Sequence, residues 1–231
     1  MKFVNKYTAL TLFTFILSPL TFAYNYTPAI QEEVQSENAL DIYDILKPYH
    51  IQQDKRDGCS AATSLMVINA IKKMKDPEWV PWTQAEFRQW LGGRDDDLQY
   101  WLGKISGKGI GVSFSRLLSY LKLVFPELEM DDVQIRGQRV GSTSYSQFKA
   151  DLLQSSQSDN EFILVNFSGH WSPVGKFDPI NNIVTILDVD YVENYSREFH
   201  YELGKGEDHY SAYSLFYKRM DGYIVIQVPK E

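Results

Sequence analysis

Apolar residues follow two rhythms along this chain, and the rhythm changes near its middle. From Cys59 to Met74 the order Cys-Ser-Ala-Ala-Thr-Ser-Leu-Met-Val-Ile-Asn-Ala-Ile-Lys-Lys-Met is apolar on most faces and closes on lysines, with Asp76-Pro77 just beyond. That pattern predicts a central buried helix whose terminal cations complement its dipole. Leu40 to Leu46 predicts a short amphipathic helix stopped by Pro48. Thr83-Gln84-Ala85-Glu86 is a capping box opening a helix to about Leu91, closed by Gly92-Gly93. Phe114 to Phe125, ended by Pro126, and Tyr145 to Gln154 continue the helical period. After residue 160 the pattern becomes strand-like. Phe162–Phe167, Trp171–Phe177 and Ile183–Leu187 predict a meander with Asp178-Pro179-Ile180-Asn181-Asn182 as one turn. A short helix near Ser211–Phe216 and a last strand, Tyr223–Val228, complete an order of helices followed by strands, which is the α+β class.

The first residues, Met-Lys-Phe-Val-Asn-Lys, lead into an apolar run from Ala9 to Phe22 that closes on Thr21-Phe22-Ala23, the three-part build of a secretory signal. The run is too short, and too broken by Pro19, to span hydrocarbon. The expectation is therefore a signal peptide over residues 1–23 and one domain over 24–231, periplasmic or secreted, with no membrane attachment after cleavage. A formal net charge of −7, more negative once Lys2 and Lys6 are removed, disfavours nucleic acid and anionic membrane as partners. Hydrophobic residues at 44% argue for a packed globular body. Nothing in the chain suggests an oligomeric state.

Charge clusters and glycines add little chemistry. Asp95-Asp96-Asp97 lacks the alternating oxygens, turn glycine and closing glutamate of a calcium loop, and suits a solvated helix start. Lys104 to Gly111 lacks the Gly-Lys-Ser/Thr ending of a phosphate cradle and reads as a turn. No cofactor or metal is expected.

The chain holds a single cysteine, Cys59, at the predicted start of the central helix. It can form no internal disulfide, and an exported free thiol is exposed to oxidation, so burial or use must explain it. A helix N-terminus presents unpaired N–H groups and partial positive charge, which favour a nucleophilic thiolate over a thiol. His170 stands at the start of one predicted strand and Asp188 at the end of the next. If those strands pair across the 178–182 turn, the two lie opposite each other at the open end. Asp188 would then orient the imidazole while its other nitrogen faces the sulfur, giving nucleophile, base and orienter. Gln53, six residues before Cys59, is placed to join the Cys59 backbone N–H in an oxyanion hole, with Gln52 as the competitor on spacing. His50, His200 and His209 read as solvated surface.

Gln53 with Cys59, Ala62, Leu65, Val67 and Asn69-Ala70, the segment Gly169-His170-Trp171-Ser172-Pro173-Val174-Gly175, and Ile186-Leu187-Asp188-Val189 together resemble the phytochelatin synthase family. Weaker similarity runs through Lys108-Gly109-Ile110 and the Arg219 to Tyr223 segment, covering about Ile51 to Val228. The resemblance implies a papain-like fold and a glutathione γ-glutamylcysteinyltransferase. It implies Cys59 as nucleophile, His170 as acid/base, Asp188 as orienter and Gln53 in the oxyanion hole. It further implies that Asn166 and the backbone of Gly169 contact the γ-glutamylcysteinyl group, and that Arg219 pairs with the glutamyl carboxylate. Three features depart from the family pattern: Ser60 replaces a glycine, the stretch from Asn166 to His170 is several residues short, and no second cysteine exists. The first two bear on the pocket; the third means that metal-sensing cysteines are absent.

The expected substrate is glutathione or its metal thiolate, cleaved at the Cys–Gly bond and passed to water or to a second glutathione. Two other readings stand beside it. A leader-peptide-processing cysteine protease shares the glutamine, cysteine and apolar helix, but His-Trp-Ser-Pro argues against it. An exported thiol or metal-binding module is disfavoured by one cysteine and four scattered histidines.

Overall fold

Burial explains why the segment after Gly58 folds as it does. In the computed structural model, which describes residues 41–55, 57–105, 111–167, 169–190 and 207–230, the helix α2 (Cys59–Lys75) is buried on all sides from Cys59 to Ile71, while its final lysines reach solvent. Before it come α1 (Ile42–Leu46), capped by the Asp41 carboxylate, and a 3₁₀ turn Lys47–Tyr49 in which Pro48 occupies an early position. After it come α3 (Gln84–Gly92), α4 (Asp96–Gly103) and α5 (Phe114–Glu127). Both halves of the predicted capping box form at Thr83 and Glu86. Asp95 caps α4 through the Leu98 N–H, as expected of a solvated acidic helix start. The proposed signal segment 1–23, most of the 104–111 turn, and His200 lie outside the described residues. All described residues belong to one unit, Asn38–Glu231.

The remaining elements build a sheet that is six-stranded among the described residues: β1 (Gln134–Arg139), β2 (Glu161–Phe167), β3 (His170–Asp178), β4 (Ile183–Leu187), β5 (Glu207–Ser211) and β6 (Met220–Gln227), with α6 (Tyr145–Ser156) between β1 and β2. A short α7 (Ala212–Ser214) and a π turn Leu215–Arg219 join β5 to β6. The spatial order is β1-β6-β2-β3-β4-β5, and every neighbouring pair is antiparallel. The meander is therefore β2 to β5, while β6 returns to the far side of β2. Two strands depart from the sequence reading: the polar β1 falls within the expected connection, and β5 within an expected polar segment around His209.

Alternate residues of β2 enter two cores. Phe162 and Leu164 join the helical core of α2 to α5 together with Trp171, Ile224 and Ile226. Ile163, Val165 and Phe167 face α6 and the 212–219 turn, against Phe148, Leu152, Leu215 and Phe216. With helices on both faces, β2 is buried throughout, which is why it reads as a largely apolar run. The architecture is α+β, with α2 packed on an antiparallel sheet.

Candidate active site

The β3–β4 hairpin decides whether His170 and Asp188 can meet. From the turn outward the pairs are Asp178 with Ile183, Phe177 with Val184 and Lys176 with Thr185; then the register shifts and Val174 faces Ile186. Gly175 is the extra residue of this bulge. Continuing the unshifted register would have put Asp188 opposite Pro173, on the other face of the hairpin from His170, because strand side chains alternate. The shift by one residue puts Asp188 opposite Ser172 and on the face that carries His170. The two residues are thus diagonal neighbours rather than directly opposed, as sequence spacing alone suggested. A Cβ at Gly175 would lie 3.0 Å from the Leu187 side chain and 3.1 Å from the Tyr43 ring, so the bulge is packed without room for another residue.

The diagonal contact is close. His170 Nε2 lies 2.7 Å from Asp188 Oδ1, which also accepts from Ser172 Oγ at 3.0 Å and from the Asp190 backbone N–H at 2.9 Å. With Nε2 held by Asp188, Nδ1 is the ring nitrogen left to face the sulfur of Cys59. Burial pulls the ring pKa down, but Asp188 and then Cys59 outweigh it and hold the imidazolium up to about 10. Burial acts upward on Asp188 too, yet His170 and the Asp190 N–H hold its carboxyl down at about 2. The two partners describe one ion pair in which each favours the charged form of the other. Thr63 Oγ1 donates to the Trp171 carbonyl at 2.8 Å, tying the first turns of α2 to the strand residue beside His170.

At Cys59 the helix opens on Gly58, and no described side chain caps the first N–H groups. They remain available to a ligand. Gln53 is buried at 4% exposure, whereas Gln52 is exposed and its carbonyl accepts from Gln84 Nε2 at 2.6 Å. The Gln53 backbone N–H donates to the Val189 carbonyl at 2.7 Å, and its Nε2 donates to Asp190 Oδ1 at 3.1 Å. The segment before the cysteine therefore runs beside the one that follows Asp188. His50 belongs to the same junction: its Nε2 lies 2.7 Å from the Asp188 backbone carbonyl. It is no free surface histidine, and the signal that could have found it is only its place three residues before Gln53. His209 is exposed, as expected, and meets Thr185 Oγ1 at 3.1 Å.

Beside this row is a cavity of about 560 Å³ lined by Asn166 and Gly169, together with Phe114, Arg116, Arg139 and Asp221. Gly169 has φ of 78°, left-handed backbone that glycine adopts without strain, immediately before His170. Asn166 is buried; oriented by its partners, its amide nitrogen donates to Asp221 Oδ2 at 3.0 Å and its oxygen accepts from Trp171 Nε1 at 2.9 Å. Arg139 donates to Ser115 Oγ at 2.7 Å and Arg116 to the Tyr100 hydroxyl at 3.1 Å. Arg219 is not among the lining residues. It is exposed and stacks over the Tyr210 ring at 5.2 Å. Sequence reasoning passed over Arg116, Arg139 and Asp221 because they lie on α5, at the end of β1 and at the start of β6, which only the fold draws together. Ser60 is also displaced from its expected place. Its hydroxyl is buried and accepts from Trp101 Nε1 at 3.3 Å, inside the helical core and away from the cavity.

The family profile of phytochelatin synthase matches residues 19–196. The chain belongs to the phytochelatin synthase family. Membership makes it a cysteine enzyme of the transferase or peptidase type, and glutathione is the substrate that the family implies. Comparison with curated proteins finds no match. Among solved structures, the chain is similar to the peptidase domain of Streptococcus ComA, a bifunctional ABC transporter involved in quorum sensing. The identity is 12% over 78% of this chain and 97% of that one, with a TM-score of 0.40.

Proposed function

We propose that this phytochelatin synthase family member is a glutathione γ-glutamylcysteinyltransferase that works through a thioester on Cys59. The observation that supports this reading most is the row of Cys59, His170 and Asp188 beside a cavity with charges of both signs. The Cys59 thiolate attacks the carbonyl carbon of the Cys–Gly bond. The oxyanion receives the Cys59 N–H and a Gln53 amide hydrogen; an amide carries two such hydrogens, so one stays on Asp190. His170 then gives the proton on Nδ1 to the departing glycine nitrogen, the C–N bond breaks and a γ-glutamylcysteinyl thioester remains. In the second half His170 takes a proton from the acceptor as it attacks. Water yields γ-glutamylcysteine, and the amine of a second glutathione yields a short phytochelatin.

The cavity suits the glutamyl end of such a substrate, which carries an ammonium and a carboxylate. Asp221, steadied by Asn166, offers a partner for the ammonium. Arg139 and Arg116 each retain guanidinium donors beyond those engaged with Ser115 and Tyr100, and offer a planar partner for the carboxylate. In this reading they take the task that the sequence resemblance assigned to Arg219. The signal read over residues 1–23 puts the reaction outside the cytoplasm, in a periplasm or the medium; N-terminal sequencing of the protein recovered from cell fractions tests that part.

The decisive test incubates the purified protein with glutathione, with and without cadmium, and follows glycine and (γ-Glu-Cys)n by mass spectrometry. Glycine release that vanishes in Cys59→Ala is expected, and its absence from the unaltered protein overturns the reading.

A further inference from the structure

One half-buried carboxyl beside the site is used by none of these steps. Asp208 lies on β5, paired with Ile186 on β4 two residues before Asp188, so that it is half-buried and stands diagonal to Asp188 on the same face of the sheet. Carboxyl groups so placed favour sharing one proton, since two bare carboxylates repel and neither can donate. Asp188 Oδ1 already takes three donors from His170, Ser172 and Asp190, which leaves Oδ2 for a fourth. Three neighbouring strands thus supply a row in the order β3, end of β4, β5: His170, Asp188, Asp208.

We propose that Asp208 is a positioning residue that donates its carboxyl hydrogen to Asp188 and, by releasing that proton, tunes how tightly His170 holds its own. While protonated, Asp208 fixes the Asp188 carboxylate and draws off part of its charge. Ionised, it frees Asp188 and adds a second negative charge behind it, so the imidazolium is held more strongly. The proton leaves to solvent and no other group changes state.

Among the described residues, the charged and titratable neighbours fit this assignment. Tyr210, on the same strand face, donates its hydroxyl to Asp208 Oδ2 at 3.3 Å, and Arg219 stacks on that ring. Glu207 points the other way, to Lys47 and Tyr43 on the α1 side, and His209 goes to Thr185. Asp190 accepts from Gln53. The His170 ring, across Asp188, is a cation that acts on Asp208. Consistent with that setting, burial and then the Asp188 charge push the Asp208 carboxyl up to about 6.

The test is an NMR titration of the His170 ring and of the side-chain carboxyl carbons in the unaltered protein and in Asp208→Asn, whose amide keeps a permanent donor without a titrating proton. It needs no substrate, so it stands even if glutathione is not turned over. The unaltered protein should show a carboxyl midpoint near 6 that is echoed in the His170 ring shifts. In Asp208→Asn that echo disappears, and loss of the imidazolium proton occurs about one pH unit lower. An echo that persists near pH 6, or an unchanged imidazolium midpoint in a folded Asp208→Asn, overturns the proposal. Should that variant not fold, the unaltered protein decides: a carboxyl midpoint near 6 coupled to His170 supports the assignment, and the lack of any such carboxyl defeats it.

Discussion

Replacing Asp188 by Asn isolates the charge of the orienter from its shape. The carboxylate is 11% exposed and accepts three hydrogen bonds at one oxygen, and an Asn carbonyl can accept at the same place. What disappears is the electrostatic hold on the imidazolium. Two quantities bear on its size: His170 rises from 6.5 to about 10, while Asp188 falls from 3.8 to about 2. The rise on His170 includes the Cys59 sulfur, so the smaller fall on Asp188, itself a balance of burial, His170 and the Asp190 N–H, sets the scale. It corresponds to roughly 2 kcal/mol, or nearly two pH units. If protonation of the leaving glycine by His170 limits the reaction, kcat/KM for glycine release should decline above about pH 10 in the unaltered enzyme and above about pH 8 in Asp188→Asn. Activity at pH 10 should fall about 30-fold, and activity at pH 7 far less. The assay is glycine release between pH 6 and 11 on protein verified as folded. A basic limb that stays in place, or a loss of equal size at every pH, refutes the argument that the Asp188 charge sets the acidity of His170.

Three further outcomes follow from the same geometry. Arg139→Met and Asp221→Asn should each raise KM for glutathione by about tenfold with a smaller change in kcat, because they remove ligands to the non-reacting end; steady-state kinetics checks this. Asp151 is buried, is paired bidentately with Arg136 at 2.9 Å twice, and accepts from the Tyr223 hydroxyl at 2.7 Å. Asp151→Ala should destabilise the fold by about 3 kcal/mol in urea titration, at the low end for a broken buried pair because Arg136 is 41% exposed and can hydrate. Thermal stability should peak between about pH 4 and 6. The Asp188 contribution is complete above its ordinary 3.8 and disappears as pH falls through about 2. The His170 contribution is complete below 6.5 and disappears as pH rises through about 10. Asp208, raised from 3.8 to about 6, adds a penalty that grows as pH rises across that interval and is complete above it, which draws the maximum toward pH 4. Calorimetry across that range checks the shape.

Local chemistry was enough to read α2, the Thr83 capping box, α5, α6 and the strands β2, β3, β4 and β6, because each has either a buried face with a clear period or a side-chain signal at its end. The edge strands β1 and β5 were hidden. Gln-Ile-Arg-Gly-Gln-Arg and Glu-Asp-His-Tyr-Ser carry no apolar alternation. They are strands because β6 and β4 offer them unpaired backbone edges, and a backbone partner leaves no mark on the residue pattern.

The site divides along the same line. Cys59 at a helix start, the helix itself and the near-symmetric spacing of His170 and Asp188 about a turn are consequences of order along the chain, and the sequence by itself determined them. The tertiary structure decided the rest. The bulge at Gly175 turned Asp188 to the face of His170, where an unbroken register would have parted them. Packing sent the Ser60 hydroxyl into the helical core and left Arg219 outside the cavity. Adjacency of strands far apart in sequence put Asp208 behind Asp188, and brought Arg139, Arg116 and Asp221 around one space. Periodicity and capping act over a few residues, so a sequence displays them; register shifts and the meeting of distant side chains depend on which backbones pair and what volume is left between them.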